Sequence, residues 1–293
     1  MNMRRTIRVG GVPEHFNLAW HLAIEEGRFD KKGIDIKWVD VPGGTGAMCQ
    51  MLRNGEIDMA IALTEGVIAD IIHGNPSKIV QFYVNSPLRW GIYTGAKGEL
   101  RNLEKIEGKK YAISRFKSGS HLMAYVNAAN LGIEIQEEDF VIVGNLEGAR
   151  KALASKQADL FMWEKFTTKP LVDSGEFRFL GECRTPWPCF VVAATNEFIY
   201  TQNDSLHEVL DIINQSCQDL KSNQEAVDLI AWRYQIKLAD AIQWFSELEY
   251  AAKPQINEAY MMEILTKLKQ FSIIESTPDI AEICYSANVE ILI

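Results

Sequence analysis

The chain has 293 residues, of which 47% are hydrophobic and 24% charged, with a formal net charge of −9. That length exceeds what one core usually serves, so two lobes are expected. The acidic balance argues against a nucleic-acid partner, and no apolar run reaches the roughly 20 residues of a membrane span.

The first residues, MNMRRTIRVGGV, carry a basic start without an apolar h-region or a small-residue cleavage site. As written, the chain is expected to be cytoplasmic; a removed signal would make it periplasmic. IRVGG (7–11) reads as a strand ending in glycines. Phe16, Ala19, Trp20, Ala23 and Ile24 then recur at helical spacing up to Gly27. IDIKWVDV (34–41) alternates like a strand, PGGTG (42–46) is a turn, and 47–54 a helix closed by Gly55. DMAIAL (58–63) is a buried strand. Thr64-Glu65-Gly66 opens a helix that ends near Gly74, and KIVQFYV (78–84) is the next strand. Repeated βαβ of this kind predicts a parallel sheet with helices on both faces.

The plan then recurs. KYAIS (110–114) is a strand, RFKSGS (115–120) a loop, and 121–130 a helix before Gly132. FVIVG (140–144) and ADLFMW (158–163) are strands on either side of a helix opened by Asn145-Leu146-Glu147-Gly148. LRNGEIDMAIA (52–62) and LASKQADLFMW (153–163) match at Leu52/Leu153 and Asp58/Asp159, each running from a helix end into an apolar strand. A spacing near one hundred residues is too long for a solenoid and fits two similar lobes. After Pro186-Trp187-Pro188 comes an apolar strand, CFVVAATNEF (189–198). Helical spacing follows at 206–223, 224–234, 239–250 and 256–271.

The expected fold is therefore α/β, with two similar lobes of mixed, mainly parallel sheets flanked by helices and joined by a two-strand hinge. Lobe I takes residues 1–90 with 192–293, and lobe II, inserted, takes 91–191. The ligand cleft lies between them, with links at 86–95 and 185–195.

Ligands of open α/β sheets sit outside the carboxyl ends of the strands, so the loops there supply the candidate residues. SRFKSGSH (114–121) is the most informative of them. Ser118, Gly119 and Ser120 open a helix whose free N–H groups and dipole favour an anion, and Arg115 adds a clamp for a carboxylate, sulfonate or phosphate. Plain helix capping by Ser118 or Ser120 is the alternative. Gly44 and Thr45 hold the equivalent place in the first lobe, as turn and cap or as ligand donors. Thr64 and Glu65 follow the next strand, with Glu65 either complementing the helix dipole or meeting a cationic group.

Phe16, Trp163 and Trp187 are candidate walls for a flat ligand, or simply core. His15 and His121 occupy corresponding places, as first-turn residues or as an acid–base or metal pair. There is no nucleophile elbow, HExxH or dinucleotide GxGxxG, and Glu147 and Glu164 read as helix caps. No catalytic residue, metal or cofactor is expected.

HLAIEEGRFDKKGIDIKWVDVPGGTGAMCQMLRNGEIDMAIA (21–62) and NLEKIEGKKYAISRFKSGSHLMAYV (102–126) resemble the type II periplasmic-binding-protein fold. The branch is that which binds nitrate, sulfonate, taurine and thiamine-pyrimidine precursors. The resemblance implies two lobes closing on a central cleft. It also implies a solute-binding protein that captures a small organic anion (sulfonate, carboxylate or aromatic acid). Such a protein is the substrate-binding component of an ABC transporter, with a permease partner, or a cytosolic relative; a monomer is expected. The alternative is an enzyme on the same scaffold, acting on a pyrimidine or menaquinone-pathway precursor with His15, Glu65 or His121 as acid–base group. The Cys-rich run of the yeast-type pyrimidine synthases has no counterpart here.

Overall fold

The computed structural model describes residues 5–285 and 290–292. The chain divides into two compact units, residues 1–86 with 187–293 and residues 87–186.

In chain order the first segment gives β1 (Arg5–Gly11), α1 (Leu18–Glu25), β2 (Ile34–Asp40), α2 (Gly44–Arg53), β3 (Met59–Leu63), α3 (Thr64–Ile72) and β4 (Ser77–Val84). The continuous unit gives β5 (Arg89–Gly95), β6 (Tyr111–Ile113), α4 (Gly119–Leu131), β7 (Phe140–Ile142), α5 (Leu146–Ala154), β8 (Leu160–Glu164), α6 (Lys165–Asp173) and β9 (Phe177–Arg184). The chain then returns to the first unit with β10 (Phe190–Thr195), α7 (Asn196–Thr201), α8 (Asn203–Ser222), α9 (Ala226–Tyr234) and α10 (Leu238–Glu247). It continues through β11 (Gln255–Asn257), α11 (Glu258–Gln270), α12 (Ile280–Ile283) and β12 (Glu290–Leu292), with β11 and β12 forming a small parallel pair.

Each unit is built on a five-stranded mixed sheet. The orders are β2-β1-β3-β10-β4 and β7-β6-β8-β5-β9. In both, three strands run parallel and the fourth, β10 or β5, runs antiparallel between its neighbours. Central strands covered on both faces read as unbroken apolar runs. Accordingly Met59, Ala60, Ile61 and Ala62 of β3 and Val191, Val192, Ala193 and Ala194 of β10 are all inaccessible. In the first unit α8 lies against α1, and the Ser216 hydroxyl donates to Ala19 O at 2.8 Å. In the second, Tyr93, Phe161, Phe177, Ala149, Ala152 and Leu153 form the core between sheet and α5.

The repeated phrase has one physical meaning in both units. Asp58 N donates to Arg8 O at 2.8 Å, and Asp58 Oδ2 accepts from Arg8 N at 2.7 Å. Asp159 does the same with the main chain of Lys110, at 2.8 and 3.0 Å. One carboxylate thus pins the entry of a parallel strand to its neighbour. The preceding helix ends in each case on a left-handed residue, Gly55 (φ 66°) or Lys156 (φ 61°), whose N–H closes on the carbonyl three residues back.

Some expectations need correction. Within the two stretches read as links, residues 89–95 form β5, a central strand of the second sheet, and 190–195 form β10 of the first, while the units change over at 86/87 and 186/187. Strand β9 has no counterpart among the expected strands. The helix expected from Ile256 starts at Glu258, after β11, and the one expected to reach Tyr250 stops at Glu247.

Candidate ligand-binding edges

The parallel strands β1, β2 and β3 end together, and the segments that leave them carry Gly44, Thr45, Thr64 and Glu65. Gly44 begins α2 at φ 68°, a left-handed conformation suited to glycine. The Thr45 hydroxyl accepts from Leu63 N at 3.0 Å, which ties the first turn of α2 to the end of β3. A Cβ on Gly66 would lie 2.6 Å from Thr45 Cγ2, so the openings of α2 and α3 touch. Thr64 is inaccessible; its hydroxyl donates to Pro188 O at 2.6 Å and its N–H to Cys189 O at 3.1 Å.

Glu65 follows in the first turn of α3 with 1% of its surface exposed. Its Oε2 accepts from Trp187 Nε1 at 2.9 Å, whereas its Oε1 has no partner. Burial pushes the carboxyl up to about 7, against the hydrogen bonds that favour its ionised form. Gly44, Thr45, Thr64, Glu65 and Trp187 are thus brought to one edge of the first sheet.

His15 and Phe16 lie in the turn after β1 within an aromatic cluster. His15 stacks on Phe16 (4.9 Å between ring centres) and meets Trp244 edge-on (4.2 Å). Phe16 also contacts Phe190 and Trp244, at 4.9 and 5.2 Å. Burial lowers the His15 pKa to about 3, so the ring is neutral at ordinary pH and packs as one of the aromatic rings of this cluster.

In the second unit the loop after β6 is organised by its own serines. Ser118 caps α4, accepting from His121 N at 3.3 Å. Ser120 Oγ accepts from Ser114 N at 3.0 Å and lies 3.0 Å from Ser118 Oγ. These hydroxyls shape the loop that presents Gly119 at the helix start. Lys117 takes φ 61°, and its N–H donates to His121 Nδ1 at 3.1 Å. That bond assigns the neutral proton of His121 to Nε2, and burial lowers its pKa to about 4. The His121 ring sits edge-on to Phe116, Tyr125 and Phe140. Arg115 is exposed and bonds weakly to Phe116 O at 3.4 Å. Trp163, half-buried on β8, stacks on Phe161 at 5.4 Å and meets Trp90 edge-on at 6.4 Å.

Glu164 caps α6 through Thr167 N at 2.6 Å. Asn145 caps α5 by accepting from Gly148 N, and Glu147 pairs with Arg150 at 2.8 Å. The five cysteines are buried, and none of them is in a disulfide. Among the described residues no group of His, Cys, Asp or Glu is placed to hold a metal ion.

One polar cluster escaped the sequence reading. Arg89, Lys165 and Arg184 converge on Glu182, at 2.6, 3.0 and 3.2 Å, with Arg89 and Lys165 also over the Phe166 ring. Burial works against the Glu182 carboxylate, but Arg89 and Lys165 hold it down to about 2. These residues are far apart in sequence, and two lie on the unanticipated β9, so no local motif announces them.

The sequence of residues 90–183 matches the family described as Ca3427-like PBP. The structure superposes at a TM-score of 0.90 on the Candida albicans CA3427 gene product, with 28% identity over 97% of each chain. That protein is described as defining a family with the generic periplasmic-binding-protein fold. This chain has that fold. The same periplasmic-binding-protein architecture is shared, at TM-score 0.76 and 16% identity over 100% of both chains, with the alkanesulfonate-binding protein SsuA from Xanthomonas axonopodis pv. citri bound to MOPS. It is shared too with the periplasmic nitrate-binding protein NrtA from Synechocystis PCC 6803 (TM-score 0.70, 14% identity, 94% of this chain and 83% of that one). At those identities the likeness carries the fold alone. No curated protein sequence matches the chain.

Proposed function

We propose that the chain is a solute-binding protein that captures a small organic anion, as the substrate-binding component of an ABC importer or as a cytosolic relative. The observation that carries this reading is the opening of α4. An exposed Arg115 stands beside the N terminus of a 13-residue helix, in a loop held in shape by Ser114, Ser118 and Ser120. A guanidinium and a helix start with free N–H groups together suit a sulfonate or carboxylate. The shared fold with alkanesulfonate- and nitrate-binding proteins supports it.

Native mass spectrometry of the purified protein, compared with its denatured extract, is expected to show a small anion released on unfolding. Arg115→Ala is expected to weaken its binding more than tenfold, about 1.4 kcal/mol or more. Unchanged affinity would remove Arg115 from the site.

A second reading, an enzyme on this scaffold, has one observation in its favour: a buried Glu65 whose pKa of about 7 suits acid–base work. Chemical conversion of the released compound on incubation with fresh protein, lost in Glu65→Gln, would establish it.

A further inference from the structure

β4 closes the order β2-β1-β3-β10-β4, so among the described residues one of its sides meets no further strand of the sheet. Such an edge is a template for another chain, and natural edges are blunted by charge or proline. β4 has little of either. KIVQFYV (78–84) contains no proline or glycine and one charge, Lys78, and every residue of β4 except Lys78 is buried. An uncharged run of branched and aromatic residues, IVQFYV, is the pattern that stacks into paired sheets when its edge is bare.

The edge is covered instead by the C-terminal part of the same unit. After α10, Ala251 N donates to Tyr83 O at 3.0 Å, and Glu249 O accepts from Asn85 N at 2.7 Å. After α11 the chain turns back through α12. Cys284 then bridges to Ile79 in parallel, and Tyr285 N donates to Ile79 O at 2.9 Å.

This second cover is held by few contacts. α12 has four residues, too few to be a stable helix alone. Ile280, Ile283 and Cys284 are buried beneath it. Asn203 Nδ2 donates to Tyr285 Oη at 2.9 Å. Lys78 Nζ donates to Ala281 O at 3.1 Å and also to Glu282 O. The one charge that would guard the strand is therefore spent on holding its cover. Residues 271–279 join it to α11, with Ser272 left-handed at φ 54°. A small element attached in this way opens as a local unit while the sheet stays folded.

We propose that residues 279–285 are an autoinhibitory cover over a self-association edge: with the cover lifted, β4 pairs edge to edge with β4 of a second copy of this chain. This goes beyond the solute-binding reading and does not rest on it.

Two variants lift the cover by different means. Tyr285→Pro removes the N–H that meets Ile79 O, and Ile283→Asp sets a charge beneath α12, where Ile283 is 1% exposed. Thermal melting confirms that each is folded. Lifting is read from faster hydrogen exchange of the Cys284 amide, which donates to Ile280 O at 2.8 Å in the closed form. Light scattering against concentration is expected to show self-association about tenfold or more stronger than in the unaltered chain. A third change, Ile79→Cys, sets a thiol opposite the natural Cys284. Added to Tyr285→Pro and oxidised within the chain, it is expected to restore the mass of the unaltered chain, and reduction to release association again. If Cys284 exchange quickens while association stays that of the unaltered chain, the edge is not a docking surface and the inference falls. It falls too if neither variant quickens exchange, since the cover is then not separable. Association that the disulfide does not reverse would run through another surface and would equally overturn it.

Discussion

Glu65 is costly to keep. Its pKa in the folded protein is about 7, above the ordinary 4.5 of the unfolded chain, so folding favours the protonated form. The stabilisation tied to that proton is complete below pH 4.5 and drains away as pH rises through 7. Glu65→Gln removes the dependence. At pH 8 the variant is expected to be the more stable by about 3 kcal/mol, since each tenfold change in proton affinity is worth roughly 1.4 kcal/mol. Chemical denaturation at pH 5 and pH 8 checks it; an equal difference at both pH values would mean that the carboxyl is not protonated on folding. The buried histidines act at the opposite end. His15 and His121 are depressed to about 3 and about 4, so their contribution is intact above pH 6.5 and is lost as pH falls through those values. His15→Phe, which keeps the ring among Phe16 and Trp244, is expected to flatten the loss of stability between pH 6 and pH 4, seen as a smaller drop in the urea midpoint.

At the scale of elements, the two strand entries offer a swap experiment. Gly55 and Lys156 close α2 and α5 in the same left-handed conformation, but only glycine adopts it without strain. Lys156→Gly is expected to stabilise by up to about 1 kcal/mol and Gly55→Lys to destabilise by about 1 kcal/mol. Thermal melts of both read the signs, and a Lys156→Gly variant that melts lower would show that the lysine side chain is needed there.

This pairing is legible in the sequence, because Asp58 and Asp159 stand at the same step of the same local phrase. The βαβ order is legible for the same reason, since its signals are local: glycine stops, apolar runs, capping residues. What escapes is set by distance or by edge position. β5 (RWGIYTG) holds two glycines and follows shortly after a proline, which reads as a link, yet it gains its partners from β8 and β9. β9 is an edge strand that carries Arg178, Glu182 and Arg184, so its pattern lacks an apolar run. Within the candidate site, residue types at loop starts can be named from sequence. The burial of Glu65 cannot, because it depends on Trp187, 122 positions away.

For the whole molecule, the fold is that of a periplasmic binding protein, and both units repeat one strand plan with a single antiparallel member, which in the first unit comes from beyond the inserted one. β10 sits between β3 and β4, yet the entire inserted unit separates it from β4 along the chain. That placement dictates an order of events during synthesis. When a ribosome has released residues 1–86, β3 and β4 have no strand to join them, and the first sheet must wait. The inserted unit, continuous from 87 to 186, can close as soon as it emerges. Protein synthesis usually lets the N-terminal part of a chain fold first; here the middle is expected to become protease-resistant before the beginning. Stalled chains from which residue 186 has just cleared the ribosome should yield a protected fragment from the second unit alone, and chains from which Thr195 has also cleared it should begin to protect the first. The earliest-made residues would then be among the last to be safe, and their exposed β3 and β4 edges are where a chaperone would have most to do.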